Sequence, residues 1–128
     1  MLVTPIYAGI AALMFIFLSI RTLMLRRRLK VAIGDSSDPM LLRATRVHGN
    51  FAEYVPLALI LLYFLEIQGV ATAFIHCLGI ALIAGRLIHA YGVSQVEENY
   101  RFRILGMALT FVVMISAATR LIMTASLD

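Results

Sequence analysis

The sequence predicts an all-α membrane protein, an antiparallel bundle of four transmembrane helices, and three observations lead there. The 128 residues are 62% hydrophobic and only 14% charged, with a mean hydropathy of +0.94, outside the usual range of soluble domains. Four nearly uncharged stretches, each long enough for the ~20 residues a helix needs to cross a bilayer, follow one another along the chain. Short polar segments rich in turn formers separate the first pair and the last pair. So short a chain could not bury this much apolar surface in a soluble core, whereas lipid solvates it on all sides. Residues 1–128 are read as one domain.

Helix one is expected from about Pro5 to Leu25, with Pro5 in the first turn, where its missing N–H costs nothing. Met1 to Ile20 carries no charge, so it lacks the basic segment of a signal peptide and reads as a retained helix. Arg26, Arg27, Arg28 and Lys30 close it, and Gly34-Asp35-Ser36-Ser37-Asp38-Pro39 forms the first loop.

Asp38 before Pro39 offers an N-cap followed by proline at the first helical position. Helix two then runs over about 40–67. Its first part is amphipathic, with Arg43, Arg46, His48, Asn50 and Glu53, while Val55 to Leu65 is uncharged. The helix therefore projects beyond the membrane at its start, and Pro56 should bend it.

Gln68-Gly69 makes a tight turn into helix three, about 70–91, which is uncharged until Arg86 and carries His76 and His89. Residues 92–99 form a second polar loop containing Glu97 and Glu98. Helix four spans about 100–126, with only Arg120 interrupting its apolar part. Small residues, among them Gly79, Gly85, Gly106 and Ala117, allow helices three and four close contact in lipid.

The net charge of +4 does not point to nucleic acid, because the basic residues sit between apolar runs rather than on a polar surface. Arg21, Arg26, Arg27, Arg28, Lys30, Arg43, Arg46, Arg86, Arg101 and Arg103 lie near one face, against Arg120 near the other. The positive-inside rule places both polar loops in the cytoplasm and the termini on the opposite side. The single cysteine, Cys77, excludes an intrachain disulfide, and no histidine pair has metal-ligand spacing, so no metal is expected. Phosphate loops, Rossmann glycines and nucleophile elbows are missing from the sequence.

Arg46, Asn50 and Glu53 are spaced by four and three, which puts them on one narrow helical stripe extended backwards by Arg43. An unpaired charge in hydrocarbon costs roughly 3 kcal/mol on insertion scales, so the stripe should face protein or water. It marks either a ligand site or an ion-pair network between helices. A second group lies at the same level: Arg86 and His89 one turn apart, with Arg101 and Arg103 across a short loop. The ordinary reading of these arginines is snorkelling to phosphate headgroups. His48 and His76 read as structural.

The run Arg46-Val47-His48-Gly49-Asn50-Phe51-Ala52-Glu53-Tyr54-Val55-Pro56 resembles the second-helix signature, R-x-x-x-N-x-x-E-x-x-P, of the MAPEG family, membrane-associated proteins in eicosanoid and glutathione metabolism. The likeness extends to the basic end of helix one, to Gly85-Arg86-Leu87-Ile88-His89 and to Arg103. It implies a homotrimer of four-helix subunits in contact with membrane lipids. Glutathione would bind as co-substrate between neighbouring subunits near the cytoplasmic face, and a lipophilic small-molecule substrate would enter from the bilayer.

By the same resemblance Arg46, Asn50, Glu53 and Tyr54 match glutathione-contacting positions, Arg26 or Arg27 matches a helix-one arginine, and His89 matches a ligand-contacting position on helix three. Arg103 matches the arginine thought to stabilise the glutathione thiolate. Val93 and Met107 stand where family enzymes often have tyrosines. The function implied is a glutathione-dependent transferase or peroxidase acting on a lipophilic electrophile, the alternative being a non-catalytic lipid-binding or scaffold member of the same fold. Small multidrug exporters also have four short helices and an intramembrane glutamate, but on helix one, where this chain has no acid.

Overall fold

The computed structural model describes residues 2–126, and within them four helices follow in order: α1 (Thr4–Leu29), α2 (Pro39–Ile67), α3 (Thr72–Ser94) and α4 (Tyr100–Ala125). All four are long and apolar enough to cross a membrane. The Asp38 carboxylate accepts the Leu41 N–H at 2.8 Å with Pro39 in the first turn, so the start of α2 is capped as its sequence implies. Asn99 similarly accepts the Arg101 N–H at 3.1 Å and opens α4.

Two helices differ from the sequence boundaries. α1 continues to Leu29 rather than stopping near Leu25, because arginine is a good helix former and its charge can reach water. What ends α1 is Lys30, whose left-handed backbone (φ 56°) returns its N–H to the carbonyls of Arg26 and Arg27. The three arginines thus occupy the last turn, where cations offset the helix dipole. α3 begins two residues later than expected and runs three further, to Ser94, whose hydroxyl donates to the Ala90 carbonyl at 2.5 Å. α2 continues through Pro56 without interruption.

Successive helices are antiparallel. The end of α2 meets the start of α1, where Glu66 accepts the N–H groups of Val3 and, at 2.8 Å, Thr4. This carboxylate therefore caps the positive end of the α1 dipole from another helix. α1 and α3 run parallel: the Tyr7 hydroxyl is 2.8 Å from His76 Nδ1 near their starts, and Arg21 donates to Ser94 Oγ at 2.6 Å near their ends. The Tyr7 ring lies over Gly79, where a Cβ would come within 2.4 Å of it.

Two apolar clusters fill the interior. One joins Leu62, Leu65, Ile75, Leu82 and Val113 across α2, α3 and α4; the other joins Leu18, Val47, Phe51 and Val93 across α1, α2 and α3. α3 and α4 share the most extensive interface, whereas α1 packs on α2 and α3 and does not reach α4. Large apolar residues such as Leu13, Phe17, Ile104 and Ile122 point outward, the pattern of a bundle solvated by lipid tails.

Candidate functional site

The site is built on a close crossing of α3 and α4. Gly85 and Gly106 face each other there, and a Cβ on Gly106 would come within 2.6 Å of the Gly85 carbonyl and 2.7 Å of His89. This approach brings the Gly106 carbonyl to 3.2 Å from Arg86 Nη2, with Met107 Sδ at 3.4 Å. Arg86 Nη1 donates to Asn50 Oδ1 on α2 at 2.7 Å. One guanidinium therefore ties three helices together.

Arg86 is only 1% exposed, which corrects the headgroup reading of this residue. Its Nε has no hydrogen-bond partner, and it enters none of the ion pairs found among the described residues. The burial has a signal in the sequence: Leu82, Arg86, His89 and Val93, all buried, recur at spacings of four, three and four, the inward stripe of a helix. The charge hid that periodicity.

A second polar cluster forms where the α3–α4 loop folds back on the bundle. Glu98, its side chain 4% exposed, lies 2.8 Å from Arg43 Nη1 on α2 and 3.6 Å from Arg103 Nη1 on α4. Arg43 also donates to the Val93 carbonyl at 3.1 Å. Glu98 carries no local motif, and its partners are distant in sequence.

Each residue singled out from the sequence has a definite place. Arg46 and Glu53 are exposed on α2, Asn50 and Tyr54 are half-buried, and Tyr54 meets Phe111 of α4 edge-on with ring centroids 5.6 Å apart. His89 is buried against Gly106 in the α3–α4 crossing. Arg103 is exposed apart from its contact with Glu98.

Arg26 donates to the Gly34 carbonyl at 2.7 Å, tying down its own loop, while Arg27 is exposed. The two helix-one arginines are not brought to Arg103, since α1 and α4 do not touch. Among the described residues Arg46 and Glu53 pair with no other helix, so the ion-pair network extends along the stripe only to Arg43.

On the side of α2 that faces α1, an apolar cleft of about 270 Å³ opens, walled by Ala11, Phe15, Phe51, Val55 and Pro56; none of Arg46, Asn50 and Glu53 lines it. His48 and His76 are held by Ser19 and Tyr7 respectively, and His48 stacks on Phe15. Among the described residues no three His, Cys, Asp or Glu side chains gather in a way that could hold a metal ion.

A family model described as the MAPEG family matches residues 4–123. Two relatives are each 39% identical over 110 residues, covering 86% of this chain and 82% of theirs. Both are named Inner membrane protein YecN, one from Escherichia coli strain K12 and one from strain CFT073 of serotype O6:H1. No solved structure gives a significant match. With its four apolar helices, the chain is an integral, multi-pass membrane protein.

Proposed function

The chain belongs to the MAPEG family, and from that membership we propose that it is a glutathione-dependent membrane transferase or peroxidase acting on a lipophilic electrophile. The observation that carries the reading is the outer face of α2. There Arg46 and Glu53 stand exposed on a spanning helix, in no ion pair among the described residues, with Asn50 between them, and an apolar cleft lies between the same helix and α1.

Charges left bare on a spanning helix cost roughly 3 kcal/mol each in lipid, so water, a ligand or another subunit must cover them. A homotrimer supplies that cover and puts the site between neighbouring subunits. Glutathione matches the stripe chemically: its carboxylates suit arginine and its ammonium suits Glu53. Arg26 or Arg27 and Tyr54 complete the contacts, while His89, buried in the α3–α4 crossing, has no direct access to the ligand in the single subunit; the loops carrying the site face the cytoplasm, with the termini opposite.

In the reaction Arg103 stabilises the glutathione thiolate, the competent nucleophile. Its sulfur bonds to an electrophilic carbon while the leaving group departs, or an opened ring oxygen takes up a proton. With a lipid hydroperoxide, two glutathione molecules form the disulfide as the peroxide becomes alcohol and water. The apolar cleft admits the lipophilic partner without exposing it to water.

A second reading, a non-catalytic lipid-binding or scaffold member, is favoured by one contact. Arg103 already has a carboxylate beside it, that of Glu98 at 3.6 Å, and a guanidinium so occupied is less available to a thiolate. Ultraviolet absorbance of the thiolate on adding glutathione to purified protein, followed by turnover of a model electrophile, separates the two. A thiolate signal with turnover supports catalysis. Glutathione binding with neither favours the second reading, and no binding rejects both the co-substrate and the mechanism.

A further inference from the structure

Arg86 has no route of its own to a ligand. It is 1% exposed, and its terminal nitrogens are engaged by Asn50 Oδ1, the Gly106 carbonyl and Met107 Sδ. Whatever it does outward passes through Asn50. A guanidinium only donates hydrogen bonds, so the atom of the Asn50 amide that faces it must be the oxygen. The planar amide then directs its NH₂ away from Arg86. That nitrogen has no partner among the described residues, and it is not sealed inside the bundle.

We infer that Arg86 is a positioning residue that fixes Asn50 as an obligate hydrogen-bond donor, so that the ligand group lying against Asn50 is an oxygen acceptor, a carboxylate or a peptide carbonyl. The inference rests on the α2 stripe being the ligand site, as proposed above. Without Arg86 the amide could turn over and offer its oxygen outward, and it would then greet an ammonium as readily as a carboxylate. No carboxylate pairs with the guanidinium among the described residues, so its positive charge stands behind the amide and adds to the preference for an anionic acceptor.

The test is the dissociation constant of glutathione, measured by calorimetry on purified protein in detergent, beside the thermal midpoint without ligand. Asn50→Asp is nearly isosteric, and its carboxylate pairs with Arg86, so the fold is retained. Its outward atom is now an acceptor, and glutathione affinity falls about tenfold or more.

Asn50→Ala, Arg86→Gln and the double variant form a cycle. Positioning through Asn50 requires that Arg86→Gln weaken binding about as much as Asn50→Ala, and that the double variant be no worse than either. Additive losses in the cycle, or an Arg86→Gln protein with a lowered thermal midpoint and unchanged affinity, assign Arg86 a purely structural role and overturn the inference. If Arg86→Gln fails to fold, Asn50→Asp decides alone: affinity equal to wild type overturns the inference, and loss with the midpoint retained supports it. A wild-type protein that does not bind glutathione overturns the proposed function and this inference with it.

Discussion

Glu98 lies in the loop between α3 and α4, yet its carboxylate sits 2.8 Å from Arg43 on α2, and it is nearly sealed from its surroundings. The same carboxylate is 3.6 Å from Arg103. A short loop thereby couples the basic end of the α2 stripe to Arg103, the residue proposed to activate the thiol. A carboxylate this buried is costly to leave without its cationic partners.

Glu98→Gln keeps the loop's shape and removes the charge that competes for Arg103. If Arg103 serves the thiolate, a larger fraction of bound glutathione is ionised at fixed pH in this variant. Thiolate absorbance at saturating glutathione checks this, and a signal equal to wild type shows that Glu98 and the thiol do not share Arg103.

Arg86→Ala removes a guanidinium bound to Asn50 and Gly106 and leaves a cavity between the helices and Asn50 Oδ1 without its donor, while the Gly106 carbonyl keeps the Thr110 hydroxyl at 2.9 Å. The expected loss is about 2–4 kcal/mol, the sum of a cavity and an orphaned acceptor. Arg101→Ala, at an exposed position, should change stability by less than about 0.5 kcal/mol. Denaturation in mixed micelles measures both, and comparable losses would contradict the role given to Arg86.

Glycines separate into two kinds. Gly106→Ala places a Cβ 2.6 Å from the Gly85 carbonyl, so α3 and α4 must move apart at a cost of about 1–3 kcal/mol. Gly49→Ala meets nothing within 4 Å and gains helix propensity, about 0.5–1 kcal/mol in the stabilising direction. Thermal midpoints of the two variants should lie on opposite sides of wild type.

Glu66→Ala removes the carboxylate that accepts the Val3 and Thr4 N–H groups. Loss of such a cap costs about 1 kcal/mol. Hydrogen exchange should show the first turn of α1 opening more readily while the α3–α4 crossing is unchanged. Equal protection in both proteins would contradict the capping role.

The bundle was legible in the sequence because its signals are local. An uncharged run of bilayer length names a helix, and Asp38-Pro39 names where one starts. The end of α1 was not legible in the same way: the basic run marks where the chain leaves the apolar layer, but the helix stops where Lys30 adopts a left-handed backbone. The α2 stripe could be read from spacing alone.

Its inner partner was harder to find. Arg86 has the spacing of a core residue, yet an arginine near a helix end ordinarily reaches for headgroups, and only the glycine-mediated crossing shows why this one stays inside. Glu98 depends wholly on a loop folding back across 55 residues of sequence, which no local pattern records.

In the proposed site the outer stripe of α2 holds glutathione with Arg103 facing its thiol. A thermal-shift titration with glutathione, run in detergent on wild type, Glu53→Gln and Arg103→Ala, decides whether it does. The wild-type midpoint should rise with glutathione concentration, and both variants should rise clearly less. Equal shifts in all three proteins, or none in wild type, would contradict it.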